Sequence, residues 1–107
     1  MDMRITIREL PGKDELRAYA QERLDSALSR FEERIRKVAV RLEDVSGGDR
    51  SGADKLARIQ LALKPNGEVI IEEVGDKIHA AFSLALDRLK AAMGRQVGKT
   101  KRGVGRG

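Results

Sequence analysis

The chain has 107 residues, a net charge of +5 and no cysteine. A chain of this length builds one domain around one core, which argues against a two-domain enzyme. Without cysteine there is no disulfide framework, thiolate nucleophile or sulfur ligand for a metal, so an intracellular, reducing compartment fits best. Neither a signal peptide nor an apolar run near the ~20 residues of a membrane span is present, and we expect a cytoplasmic protein without a membrane partner.

The excess positive charge lies at the C-terminal end. Residues 94–107 contain no acid and five basic residues, which are Arg95, Lys99, Lys101, Arg102 and Arg106. Residues 1–93 therefore carry 17 basic and 17 acidic side chains. Because a Gly-rich basic segment cannot bury enough apolar surface to fold alone, we divide the chain into a folded domain, residues 1–95, and a flexible tail, residues 96–107. The tail is either a polyanion-binding arm or a solubilising end.

The first half of the chain predicts a strand, a helix and a second strand. Apolar and polar residues alternate from Met3 to Ile7, as in a strand with one buried face, and Pro11-Gly12 ends it. Apolar residues then recur every three or four positions from Lys13 to Arg34, which predicts one long amphipathic helix. Alternation returns from Val38 to Leu42, and Val45 closes the second strand.

The second half predicts two more strands and a helix. A loop rich in Gly, Ser and Asp precedes the third strand, Ala57 to Leu63. Pro65-Asn66-Gly67 is a hairpin signal, so Glu68 to Val74 should pair with that strand. Asp76 is a candidate cap for the second helix, which Gly94 and Gly98 should end. The order predicts an α+β fold of two layers, βαβββα, in which both helices cover one face of a four-stranded, mainly antiparallel sheet.

Cations gather on one flank of each predicted helix. At 100° per residue, the two flanks contain Arg23, Arg30 and Arg34 on the first helix and Lys77, Arg88 and Arg95 on the second. Lys90 lies on the opposite flank of the second helix. Such rows can contact successive RNA phosphates, although an ordinary solvated face is the alternative. Together with Lys99, Lys101 and Arg102 of the tail, the six residues are the predicted RNA-binding set.

The sequence predicts neither base stacking, nor nucleotide binding by a P-loop, nor catalysis. The three aromatic residues, Tyr19, Phe31 and Phe82, fall on core stripes, so base stacking is disfavoured. The segment from Gly94 to Thr100 imitates a phosphate-binding P-loop but has one residue too few between its glycines and follows a helix. His79 has no nucleophile to partner it and should be half-buried. We expect no catalytic residue, metal or cofactor, and hence no enzyme.

Several local patterns resemble the ribosome hibernation-promoting factor and sigma-54 modulation family, in its short type, over residues 1–97. They are Ala27 to Phe31 followed by Ile35, then Val38 to Asp44 leading to Gly52 to Lys55, and finally Asp76 to Leu89. None is a catalytic signature, and it is their order and spacing that resemble the family.

The resemblance implies a fold similar to the double-stranded-RNA-binding domain. It also implies docking on 16S rRNA of the 30S subunit, near the decoding region, by a protein that is monomeric off the ribosome and takes no small-molecule substrate. The implied role is translation regulation during stress, through ribosome binding that silences and stabilises idle ribosomes. The chain departs from the family at His79, where an aromatic residue is usual, and at Ala91, Ala92 and Gly94, where the helix end is usually more basic.

Two other binding functions remain open at the level of the sequence. A general double-stranded-RNA-binding module would follow any duplex RNA rather than the ribosome. A regulator of protein interactions would use the acidic face of the first helix, and its complexes would survive nuclease treatment.

Overall fold

The computed structural model describes the backbone of residues 1–46 and 54–105, and side-chain surroundings as far as residue 96. A sheet of four strands and a layer of helices make up the fold. The elements in chain order are β1 (Asp2–Arg8), α1 (Lys13–Leu28), a 3-10 helix (Ser29–Arg34), β2 (Ile35–Asp44), β3 (Lys55–Leu63), β4 (Glu68–Gly75) and α2 (Ile78–Gly105). The predicted βαβββα architecture is therefore confirmed.

The strands lie in the sheet in the same order as in the chain, β1-β2-β3-β4. β1 pairs parallel with β2, because α1 carries the chain back across the sheet between them, whereas β2–β3 and β3–β4 pair antiparallel. The β3–β4 connection is the predicted hairpin, in which Gly67 takes a positive φ of 98° and its carbonyl accepts the Leu63 N–H at 2.9 Å. The register is continuous over the whole β3–β4 pair.

The core lies between the helices and one face of the sheet. Leu42, Ile59 and Leu61 on the strands and Leu24 and Phe82 on the helices are fully buried. No charged or polar residue is buried among the described residues. The alternation that predicted the strands thus arises because one face of the sheet is covered by the helices, while the other face is open.

The predicted first helix differs from the observed one at its C-terminal end. The α-helix ends at Leu28, and residues 29–34 continue as a 3-10 helix, whose tighter turns bring Phe31 into the core just before β2 begins. Val45, the predicted end of the second strand, lies one residue beyond β2 and is exposed. Its N–H donates to the carbonyl of Asp54 at 2.8 Å, which brings the two ends of the loop together.

The second helix differs from the prediction at both ends. Lys77 rather than Asp76 lies immediately before it, and the Lys77 carbonyl accepts the first helical bond, from the Ala81 N–H, at 3.0 Å. The helix passes through Gly94 and Gly98, which were predicted to end it, and reaches Gly105. A glycine costs a helix only ~1 kcal/mol, so helix already packed on the sheet can propagate through it. Neither helix has an apolar stretch sufficient to cross a bilayer, over the described residues.

Candidate nucleic-acid interface

Two arginines of the first helical segment lie over aromatic rings. The guanidinium carbon of Arg23 is 5.9 Å from the centroid of Tyr19, one helical turn earlier, and that of Arg30 is 4.7 Å from the centroid of Phe31. Both arginines are exposed, and neither makes an ion pair with any described residue. Cation–π contacts at exposed sites contribute ~0.5–1 kcal/mol, enough to favour one orientation without neutralising the charge.

This flank of α1 faces α2. Tyr19 is half-buried between the helices, with its ring 4.8 Å from that of His79 and 6.0 Å from that of Phe82, centroid to centroid. His79, predicted to be half-buried, is exposed. We name the surface formed by Arg23 and Arg30 the α1 flank. It is positioned by core packing, because the same ring that supports Arg23 also contacts the second helix.

Arg34 ends the 3-10 helix near the C-terminal half of α2. Its carbonyl accepts the Lys64 N–H at 2.9 Å, which ties the helical layer to the β3–β4 hairpin. The side chain is half-buried and lines a depression of about 200 Å³ with Pro65, Met93 and Gln96. Arg34 therefore lies where the 3-10 helix, the β3–β4 hairpin and α2 meet.

Arg88 lies on the other flank of α2. Its guanidinium forms an ion pair with the Glu73 carboxylate of β4, and it donates to the Glu72 carbonyl at 3.3 Å. Glu73 is opposite Ala57 in the register and so lies on the helix-covered face of the sheet, where its side chain is only 18% exposed. The pairing directs Arg88 to the outer strand of the sheet, away from α1.

The other predicted residues of the second helix lie before it and along it. Arg95 is exposed and lies seven residues beyond Arg88, on the same side of α2, and Lys77 is exposed immediately before the helix begins. Lys99, Lys101 and Arg102 have helical backbone, but their side chains lie outside the described residues. The structure therefore places Arg23 and Arg30 over aromatic rings, Arg34 beside Met93 and Gln96 of α2, and Arg88 against β4.

The open face of the sheet carries cations that are not in the predicted RNA-binding set. They are Arg4 and Arg8 on β1, Lys37 and Arg41 on β2, and Arg58 on β3. The signal was present, because in each strand these residues alternate with the apolar positions that predicted the strand. On a sheet with one covered face, the polar half of that alternation specifies the surface chemistry.

Carboxylates at the base of the loop between β2 and β3 contact a lysine. Lys55 Nζ lies 2.6 Å from Asp54 Oδ1 and 3.5 Å from Asp44 Oδ2. A backbone hydrogen bond from Ser46 to Asp44, assisted by the Ser46 side chain and by Lys55, lowers the pKa of Asp44, and the hydrogen bond with Asp54 raises the pKa of Lys55. No cluster of three metal-ligating side chains occurs in the described part of the chain. Asp49, a third aspartate of this loop, lies outside the described residues.

Two solved structures share this fold. The N-terminal domain of Protein Y from Thermus thermophilus is 28% identical, with 89% of this chain and 98% of that one covered and a TM-score of 0.69. A ribosomal subunit interface protein from Coxiella burnetii, at 13% identity, covers 92% of this chain and 99% of that one with a TM-score of 0.74, and it supports the fold alone. The fold is that of a class of small ribosome-associated domains.

The sequence pattern of the Sigma 54 modulation protein / S30EA ribosomal protein family matches residues 3–101. The chain belongs to this family, and the predicted resemblance to the ribosome hibernation proteins is confirmed. The family is not known for enzymatic activity. No match was found among proteins of curated function.

Proposed function

We propose that the protein is a translation silencer that binds rRNA of the small ribosomal subunit near the decoding region and stabilises idle ribosomes. The observation that carries this proposal is the family match over residues 3–101, on a chain with the complete βαβββα fold. The α1 flank adds chemical support, because exposed guanidinium groups without acid partners suit contacts with phosphates.

The proposed mechanism is occupancy of a site rather than catalysis. Arg23 and Arg30 are fixed on packed elements, so contacts from them to rRNA phosphates would set the orientation of the domain. The basic residues of the tail would add affinity that depends on salt but contributes little to orientation. A domain held in this way excludes mRNA and tRNA from the region that it covers.

The proposal specifies the partners. They are the 30S subunit and its 16S rRNA, bound by a protein that is monomeric off the ribosome and needs neither a membrane nor a small-molecule substrate. The three aromatic residues of the chain lie in the helical layer, with Phe31 and Phe82 buried. Recognition would therefore depend on the shape and phosphates of the RNA rather than on bases stacked against the protein.

Co-sedimentation with isolated 30S and 50S subunits tests the proposal, together with inhibition of cell-free translation. We expect retention on 30S and not on 50S, and inhibition that mRNA and tRNA, added in excess beforehand, relieve. Equal retention on both subunits contradicts the decoding-region proposal. Release by unrelated duplex RNA identifies a general RNA-binding module instead, and partners that persist after nuclease treatment identify a regulator of protein interactions.

A further inference from the structure

The strand β4 forms a free edge of the sheet. The strand order places β3 on one side of β4 and no described strand on the other. The Leu63 N–H donates to the Gly67 carbonyl at 2.9 Å, so these two residues are a hydrogen-bonded pair of the antiparallel ladder. Because such pairs alternate with pairs that make no hydrogen bond, the register assigns the bonds with β3 to Val69, Ile71 and Glu73. The backbone groups of the residues between them point away from the sheet.

Four residues of β4 therefore have outward-pointing backbone N–H and C=O groups. They are Glu68, Ile70, Glu72 and Val74, and we name them the β4 edge. In the described part of the chain, Arg88 alone makes a hydrogen bond with these groups, donating to the Glu72 carbonyl at 3.3 Å. This contact agrees with the direction that the register assigns to that carbonyl. An edge with free donors and acceptors is a template on which another extended chain can pair.

The side chains of the β4 edge alternate between acidic and apolar. All four lie on the open face of the sheet, opposite residues of β3 that the helices do not cover. Ile70 is 44% exposed and Val74 is 50% exposed, although both side chains are large and apolar. β4 contains three acids and no basic residue. The edge is therefore an acidic and apolar strip on a chain whose net charge is positive.

The two carboxylates of the β4 edge keep most of their negative charge. Glu68 accepts a hydrogen bond at 3.0 Å from the side-chain amide of Gln60, which is a neutral group. Glu72 Oε2 lies 3.9 Å from Arg58 Nε, beyond hydrogen-bond distance, and exposed pairs of this kind contribute little. The edge thus presents two negative charges four residues apart, with an apolar side chain midway between them.

This chemistry selects the strand that can join the edge. A cation opposite a carboxylate stabilises a pair of strands, and apolar side chains that meet across the strands remove surface from water. The complementary segment has basic residues four apart and an apolar residue midway between them, all on one face. A nucleic-acid backbone is disfavoured by charge. A second copy of β4 is disfavoured too, because it would bring the three acids of each strand together.

We propose that the β4 edge binds an extended basic segment of a partner protein, which adds to the sheet as a fifth strand. Segments rich in Lys and Arg are common as the arms with which proteins bind nucleic acid. The incoming strand replaces the contact between Arg88 and the Glu72 carbonyl by a backbone hydrogen bond. The inference goes beyond the proposed function and does not depend on it, because the partner is a polypeptide and no residue of the β4 edge belongs to the predicted RNA-binding set.

Fluorescence anisotropy with labelled heptapeptides tests the inference on the full chain. The matching peptide is Lys-Thr-Val-Thr-Lys-Thr-Val, and a rearranged peptide has the same composition with its two lysines adjacent. We expect saturable binding of the matching peptide and about tenfold weaker binding of the rearranged one, since each matched cross-strand pair contributes several tenths of a kcal/mol. Equal binding of the two peptides overturns the inference, because it shows attraction between charges without a register.

Methylation of the peptide backbone separates strand pairing from other kinds of contact. One peptide is methylated on the nitrogens of its Lys and Val residues, and the other on the nitrogens of its Thr residues. In an added strand only one of these alternating sets faces the β4 edge. We expect one methylated peptide to lose binding and the other to retain it. Equal binding of both methylated peptides overturns the inference, and this result needs no variant of the protein.

A substitution in β4 tests the backbone of the edge from the side of the protein. Ile70→Pro removes an N–H that points away from β3, so the ladder keeps its bonds while the incoming strand loses a donor. Ile70→Ala is the control, because it shortens the side chain and keeps the N–H. We expect Ile70→Pro to abolish binding of the matching peptide and Ile70→Ala to weaken it about threefold, with unchanged circular dichroism. Full binding by a folded Ile70→Pro variant overturns the inference.

A charge-matched pair of double variants tests the carboxylates. Glu68→Gln with Glu72→Gln removes both charges of the β4 edge, and Glu22→Gln with Glu33→Gln removes two exposed acids of the helical layer. We expect about fivefold weaker binding of the matching peptide to the first pair and unchanged binding to the second. Equal effects of the two pairs overturn the inference. A dimer of the unmodified chain in analytical ultracentrifugation, dissociated by Ile70→Pro, also overturns it by assigning the edge to a second copy.

Discussion

The α1 flank and the outer flank of α2 both carry arginines, but different groups hold them. Arg23 and Arg30 lie over aromatic rings without an acid partner among the described residues, whereas Arg88 is paired with Glu73. A ring restrains a guanidinium group and leaves its charge intact, while a carboxylate cancels the charge. The angular position of a cation on a helix is therefore a poor guide to its availability, because the neighbouring strand decides whether the cation is already neutralised.

The tail, residues 96–107, should contribute the largest part of the affinity for the ribosome, more than either flank. Deletion of residues 96–107 removes four cations, and Met93 is the last buried position among the side chains that the structure describes. In a plot of the logarithm of the ribosome-binding constant against the logarithm of the salt concentration, we expect the slope to become shallower by roughly 3. The affinity near 0.15 M salt should fall on the order of 10²-fold. The rRNA footprint should keep its position. A footprint that moves after the deletion shows that the segment, and not the α1 flank, orients the domain.

The two flanks can be compared directly with one substitution on each. Arg30→Ala removes an unpaired charge, and we expect roughly fivefold weaker 30S binding. The slope of the log–log plot of binding constant against salt concentration should become shallower by ~0.7–0.9. Arg88→Ala removes a charge that Glu73 already neutralises, so less than a twofold change is expected. Filter binding over a salt series measures both variants, with circular dichroism as the control for folding. Equal losses contradict the distinction between the flanks.

Removing the charge of Glu73 should make the Arg88 guanidinium available to RNA. Glu73→Gln keeps the size of the side chain but removes the charge, and the exposed geometry of Arg88 limits the stability cost to under about 1 kcal/mol. We expect 30S binding two- to threefold tighter, by the same filter assay. The increase should vanish in the Glu73→Gln, Arg88→Ala double variant. An increase that persists there arises from the lost negative charge alone.

The smallest expected effect concerns the base of the β2–β3 loop, which lies on neither flank. The pKa of Asp44 is lowered, so its contribution to stability is complete above the ordinary carboxyl pKa and is lost as the pH falls through the lowered value. The pKa of Lys55 is raised, so its contribution is lost only as the pH rises through a value above the ordinary one for lysine. Ribosome binding between pH 6 and 8 should therefore be unaffected by this site.

An NMR titration of the Asp44 side-chain carbon checks this expectation. The midpoint should lie below the ordinary aspartate value, and it should stay low in Lys55→Met, because the main cause is the hydrogen bond from the Ser46 backbone. An ordinary midpoint in Lys55→Met would instead make the lysine the main cause.

The fold could be predicted from the sequence because one face of each element is apolar. The alternation from Met3 to Ile7 and the hairpin residues Pro65-Asn66-Gly67 each depend on local chemistry and gave the correct elements. The ends of the helices were harder. The change to a 3-10 helix at Ser29 and the passage of α2 through Gly94 depend on packing against the sheet, which overrides local propensity.

The candidate site was predictable only in part. The α1 flank followed from helical geometry, since Arg23 and Arg30 lie on elements whose buried face was evident. The neutralisation of Arg88 could not be foreseen, because Glu73 lies 15 residues earlier and meets it only when α2 crosses β4. The RNA-binding role of the six helical residues stays a prediction, as does the division between domain and tail at residue 96.

The late position of α2 in the chain also bears on how the protein is made. β3 and β4 are covered mainly by α2, whose Phe82, Leu86, Leu89 and Met93 complete the core. A nascent chain that has reached only the hairpin leaves the apolar side of these strands exposed to water, and too little surface is buried to offset the cost of ordering the backbone. Folding therefore waits until residues as far as Met93 have left the exit tunnel. A nascent chain whose Met93 is still inside the tunnel has no assembled surface with which to bind another ribosome.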